Sequence, residues 1–312
     1  MGLKSKQYRY TLTGKRGFFS SGSVILGGIL LFILLSGTAF ILVRRSFTPV
    51  PSISVLYRQW QQSDYSVVHD TAAQILAARP LDGTSLALHG FSAYYLFVEE
   101  TDPAQAQLYL VTAINSLRNA LYRVSSEDKT AIAYVLGKAY YHRGYYYADL
   151  SLKYLDIARS NGFSAGDLEE FRGLAAASLG DYELSNQAFT AALAGNPSDI
   201  LLHAIADNYY KLGDTDRAKQ YLFEAIAISV NEVLQLKCRT LLGTILFAEG
   251  RLDDAMGEFT TILQKDPNSA DAHYGLGVIY ETQGDMIRAR AEWRRAIRLD
   301  PVHPGARSKL NL

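Results

Sequence analysis

The sequence predicts an all-α solenoid of antiparallel helix pairs preceded by a single transmembrane helix, and three observations carry that reading. First, sliding the chain by 34 residues over 236–303 superimposes Leu242 on Leu276, Gly243 on Gly277, Gly250 on Gly284, Ala255 on Ala289, Phe259 on Trp293 and Pro267 on Pro301. Second, each match has a helical reason. Large apolar residues at helical spacing fill the space between helices, and Gly243 and Gly277 let a neighbouring backbone come close. Gly250 and Gly284 suit a left-handed residue that ends one helix, and Asp285 can cap the next. Ala289, Trp293 and Ala296 fall on one face of a second helix, which Pro301 closes. Third, Val24 to Val43 is twenty residues without a charge.

That apolar run follows a basic tail, 1–23. As a helix at 1.5 Å per residue it spans roughly 30 Å, the thickness of a bilayer core. A cleaved signal peptide is the competing reading, because Gly37, Thr38 and Ala39 offer small residues at cleavage positions. The run continues past them through Phe40–Val43 to Arg44, longer than the ~7–15 residues of a signal core, which favours an uncleaved anchor over 24–43. Five basic residues precede it, while Arg44, Arg45 and Arg58 follow. The bias puts the N-terminus inside and the rest of the chain on the extracytoplasmic face, the periplasm of a bacterium, against the opposing pull of Arg44 and Arg45. No GxxxG face favours pairing of the anchor itself, since Leu31 and Phe32 stand four residues beyond Gly27 and Gly28.

A short linker, 44–51, holds Pro49 and Pro51, and the solenoid is expected over 52–304 in about seven units. In the first, Ser63-Asp64 marks the turn, Val68, Ala72 and Ile75 the second-helix face, and Pro80 the close. The second has Gly90 at its close-approach position. Its second helix fits a small-large-small face twice, as Ala106/Leu110/Ala113 and Ala113/Leu117/Ala120, which reads as an insertion of about thirteen residues extending the unit over 83–129. The third carries Leu136, Gly137, Tyr140 and Gly144, with its second helix on either Ser151/Leu155/Ala158 or Ala148/Leu152/Leu155. Gly173, Gly180-Asp181, Phe189 and Ala192 mark the fourth, and Ile205, Ala206, Gly213-Asp214, Ala218, Leu222 and Ala225 the fifth. After extra residues around Val230–Val233 come the sixth and seventh, 236–269 and 270–303. A short tail, 305–312, remains.

Paired helices at this period, with these glycines, alanines and prolines, resemble the tetratricopeptide repeat family. The resemblance implies a right-handed superhelix that binds proteins or peptide segments on a concave surface lined by the first helix of each unit. Carried over position by position, it gives as partner-binding residues Tyr134, Lys138 and Tyr141; Glu170 and Leu174; His203, Asp207 and Tyr210; Thr240, Thr244 and Phe247; and Tyr274, Val278 and Glu281. Tyrosine gives large contact area at low entropic cost, although the same rings could equally pack between helices. The Lys/Asn clamp by which some relatives hold a C-terminal carboxylate is absent.

Other classes find little support. The chain has 312 residues and no net formal charge, but residues 1–48 hold seven Lys/Arg and no acid, which leaves 24 basic against 31 acidic side chains in the remainder. An acidic folded part argues against nucleic-acid binding. The six histidines are scattered without HExxH or carboxylates at ligand spacing, no phosphate-cradling loop follows a strand, and no cofactor is implied. Cys238, the only cysteine, reads as a small buried hydrophobe. Tyr140 to Tyr147 is the densest aromatic stretch and straddles a turn, which predicts core on one side and exposed rings on the other, with a partner or membrane-surface contact as the alternative. Arg288, Arg290, Arg294, Arg295 and Arg298 form a basic stripe, read as a solvated outer face, with an acidic partner as the alternative. The expectation is therefore a non-catalytic scaffold, alone or in an oligomer, holding protein partners close to a bilayer. By resemblance its role lies in envelope assembly, periplasmic chaperoning or a membrane machine such as a flagellar motor. A cytosol-facing receptor like those of organelle import is the alternative, with inverted topology.

Overall fold

The computed structural model describes residues 50–312, which form fifteen α-helices and one 3-10 turn. The basic tail, the anchor at 24–43 and most of the linker lie outside the described residues. Within these, no helix is long and apolar enough to cross a membrane.

The helices fall into seven antiparallel pairs. They are α1 (Ile53–Gln61) with α2 (Tyr65–Ala78), α3 (Gly83–Glu99) with α4 (Pro103–Ala120), α5 (Ser126–Arg143) with α6 (Ala148–Ser160), and α7 (Leu168–Ser178) with α8 (Tyr182–Gly195). Then follow α9 (Asp199–Lys211) with α10 (Thr215–Ile228), α11 (Glu232–Ala248) with α12 (Leu252–Lys265), and α13 (Ala270–Thr282) with α14 (Met286–Leu299). A last helix, α15 (Pro304–Leu310), occupies the segment expected as a tail. His303 starts it: the ring Nδ1 accepts the Ala306 N–H at 3.1 Å while Nε2 faces Asp271 at 3.1 Å.

One packing rule repeats along the array. A glycine in each of several first helices receives the large residue of its own second helix. A Cβ added to Gly90 would lie 2.5 Å from Leu117 Cγ, and one on Gly137 2.5 Å from Leu155 Cγ. Phe259 lies against Gly243 of its own unit and Gly275 of the next, so one ring ties two units together. Ser151, Leu155 and Ala158 are all fully buried, which settles the third unit's register. The two extra residues that this register needs are taken up by the 3-10 turn Tyr145–Tyr147. In the second unit Ala106, Leu110, Ala113, Leu117 and Ala120 are all buried on one continuous helix. The insertion there lengthens both helices of the unit, to 17 and 18 residues, rather than forming a loop.

The turns follow a common plan. Gly180, Gly213, Gly250 and Gly284 have φ between 77° and 82°, and Asp181, Asp214 and Asp285 cap the helices after them. In the first unit Ser63 takes this place with φ 57°, before the capping Asp64. A side chain is strained in this region while glycine is not. Gly284→Val should therefore cost about 1–2 kcal/mol, and Ser63→Gly should stabilise by a fraction of that; denaturant titrations of the two variants read opposite signs.

Candidate functional site

First helices approach their successors (α1 with α3, α3 with α5, α5 with α7, α9 with α11, α11 with α13), whereas consecutive second helices do not come as close. The first helices therefore line the shorter, inner side of the curve. Residues that recur every third or fourth position on them and point away from their own second helices face a common surface.

At its N-terminal half this surface is a run of touching rings. Trp60 of α1 meets Phe91 and Tyr95 of α3 at centroid distances of 6.0 and 5.9 Å, and Tyr95 stacks on Tyr65 at 4.3 Å. Tyr94 and Phe97 continue it to His142 of α5, at 6.2 and 5.2 Å. His142 and Tyr141 then meet Phe171 of α7 at 5.7 and 5.4 Å. Tyr94 is buried, Tyr95 is 40% exposed, and Tyr141 lies between. Burial, helped by the nearby Glu170 carboxylate, raises the Tyr141 hydroxyl above the usual phenol range, so the ring offers a neutral donor.

Tyr134 and Lys138 are held from within the array. The Tyr134 hydroxyl donates to Asp167, and Lys138 Nζ donates to the other oxygen of the same carboxylate at 2.7 Å. The Lys138 ammonium also lies 4.7 Å from the Phe171 ring centroid and 5.1 Å from that of Tyr134. Burial works to raise the Asp167 carboxyl, but the hydrogen bonds from Lys138 and Tyr134 and the charge of Lys138 outweigh it and hold it below the usual range. Removing the lysine would leave a partly buried carboxylate short of its counter-charge, so this trio positions α5 against the start of α7.

Further along, His203, Asp207 and Tyr210 follow one another on α9. Burial holds the His203 imidazole below its ordinary value, with Lys237 adding to the effect and Asp207 opposing it. Asp207 pairs with Lys211 at 2.7 Å, and Tyr210 is exposed. Phe247 is half-buried against the core of the fifth and sixth units. Tyr274 packs on α15, beside Gly305 and 4.9 Å from the His303 ring, and stays partly exposed. The structure thus brings Tyr134, Lys138 and Tyr141 into one aromatic basin and sets His203, Asp207 and Tyr210 apart from it. Tyr274 is placed in packing.

Trp60, Tyr94, Tyr95, Phe171 and Asp167 escaped sequence reasoning, which carried the inner-face positions only from the third unit onward. A signal existed: superimposing Gly90 on Gly137 sets Phe91 and Tyr94 beside Lys138 and Tyr141. In the tyrosine run, Tyr140 is buried and stacks on Tyr154 at 5.7 Å, while Tyr145 and Tyr146 are exposed. Among the described residues no three His, Cys, Asp or Glu side chains converge as a metal site.

Comparison with known proteins gives the following. Tetratricopeptide repeat family models match residues 201–229 and 240–304. The C-terminal part of a TPR repeat-containing protein from Cytophaga hutchinsonii superimposes with a TM-score of 0.60 at 14% identity, covering 84% of this chain and all of that one. YrrB, described as a TPR protein with an unusual peptide-binding site, is 23% identical over 64% of this chain and all of its own, with a TM-score of 0.47. The probable biofilm formation methyltransferase WspC of Pseudomonas putida is 37% identical over 57 residues, 18% of this chain. The chain spans only 13% of the length of that curated relative. Residues 201–229 and 240–304 are tetratricopeptide repeats, and residues 52–312 form an all-helical solenoid of the tetratricopeptide type.

Proposed function

We propose that this chain is a non-catalytic scaffold whose inner face holds segments of partner proteins close to a membrane. The observation that carries the reading is the run of touching rings from Trp60 across α3 and α5 to Phe171, a partly exposed aromatic surface with tyrosine hydroxyls and the Lys138 ammonium among the rings. Such surfaces anchor extended or helical segments, because rigid rings bury area at little entropic cost and their polar tips fix orientation. The anchor at 24–43 and the charge bias across it support tethering to a bacterial inner membrane with the repeats in the periplasm. A role in envelope assembly, in chaperoning or in a membrane-embedded machine suits that placement. A reporter enzyme active only outside the cytoplasm, fused after Leu312, should be active in cells; protection of the repeats in intact spheroplasts would instead favour the cytosol-facing receptor.

The inner face is tested by pairing stability with binding. Tyr141→Ala and Tyr210→Ala should weaken capture of partners from solubilised membranes by about thirtyfold, the ~2 kcal/mol of a binding hot spot, with little change in melting. Phe247→Ala should affect both. Normal capture by all three variants, with only melting disturbed, would move the binding surface elsewhere.

A further inference from the structure

The C-terminal end carries a second surface of different chemistry. Inside the array, the outer groove over a first helix has a second helix on either side. Over α11 it is bounded by Lys219 and Phe223 of α10 and by Gly257 and Thr261 of α12. A groove over α15 is bordered by α14. Arg294, Arg295 and Arg298 of α14 form that wall, Ile297, Leu310 and Leu312 give the groove an apolar character, and the space is about 730 Å³. Counted from the capping Asp214 and Asp285, Arg290 and Arg294 take the places of Lys219 and Phe223, residues that face the next unit's second helix inside the array.

Of the arginines lining this groove, only Arg295 is paired with a carboxylate among the described residues. Arg288 pairs with Asp285 at 2.5 Å and Arg295 with Glu292 at 2.6 Å, but among the described residues Arg290, Arg294 and Arg298 meet no carboxylate. They recur at every fourth residue, so they stand in one line about 6 Å apart, where like charges repel. Residues 286–312 hold seven Lys/Arg against only Glu292 and Asp300. Glu292 is already bonded to His273 and Arg295. A polar end needed only for solubility could mix both signs. A single sign, on guanidinium groups whose fork matches a carboxylate, selects an acidic ligand.

We infer that this surface docks an acidic amphipathic helix of a partner protein, lying across the groove from α14 as α12 lies across the groove from α10. Glutamates at every fourth position of such a helix share the 6 Å repeat of the arginines, and apolar residues on its adjoining face cover Ile297 and Leu310. The surface is separate from the inner face and stands or falls independently of it.

The test uses the full chain in detergent and a fluorescent synthetic helix with glutamate at every fourth position beside a leucine face, together with its glutamine twin. The glutamate peptide should bind at least tenfold more tightly than the twin. Arg294→Ser combined with Arg298→Ser should remove that difference with melting unchanged, and Arg294→Glu combined with Arg298→Glu should shift preference to a lysine version of the peptide. Equal binding of the two peptides, or variants without effect, would overturn the proposal. So would tighter binding of an oligonucleotide or of anionic phospholipid vesicles through the same arginines, which would assign the surface to phosphate.

Discussion

Trp293→Ala should lower stability by about 3–5 kcal/mol, the range for truncating a fully buried aromatic side chain. Trp293 is 1% exposed and packs with Ala289, Ala296 and Ala306, so its loss opens a void that joins α13, α14 and α15. Its ring edge lies over Gly277, the glycine that makes room for it. The indole Nε1 is buried without a hydrogen-bond partner among the described residues. Trp293→Phe should therefore be much milder, because it removes some packing and an unsatisfied donor together. The sixth unit already uses Phe259 at the matching place. Denaturant unfolding followed by circular dichroism reads both variants, and an alanine variant as stable as the parent would mean that the helices are paired differently.

Acid should weaken the N-terminal units by a comparable amount. The His89 ring stacks on His69 at 4.5 Å, and its Nδ1 lies 2.9 Å from Ser116 Oγ. Burial, with His69 adding to it and Asp70 opposing, lowers the His89 imidazole to about 4. In the unfolded chain it titrates near 6.5, so the unfolded state takes up the proton first. The stabilisation is thus complete above about pH 6.5 and is lost as the pH falls from there to about 4, a change of roughly 3 kcal/mol. His89→Gln keeps a hydrogen-bonding group for Ser116 and should flatten this part of the stability profile. An unchanged profile would show that another group carries the acid response.

The last two units were the most legible part of the chain, because their signals are local. A turn glycine and a small-large-small face lie within one helix pair and recur after 34 residues, and Asp285 caps the last second helix. The second unit was harder, since its long α3 and α4 break the period and hide the register that would have placed Phe91 and Tyr94. Asp167 was invisible for another reason. It precedes α7, outside the helical positions that the repeat pattern defines, and its partner Lys138 is 29 residues away. Tyr274 was carried to the inner face by its position in the repeat, which says nothing of what packs beside it after Pro304. His303 is an uncommon helix cap, so the start of α15 gave no ordinary signal, and α15 leaves the tyrosine only partly exposed.

The inner face can be probed most directly in living cells by photo-crosslinking through benzoylphenylalanine placed at single positions. Tyr95, Tyr141 and Tyr210 sample the inner face, and Phe223, 57% exposed, samples the outer groove. Irradiation should give protein adducts from the three inner positions and none from Phe223. Adducts from Phe223 with none from the inner three would contradict a scaffold that binds through its first helices.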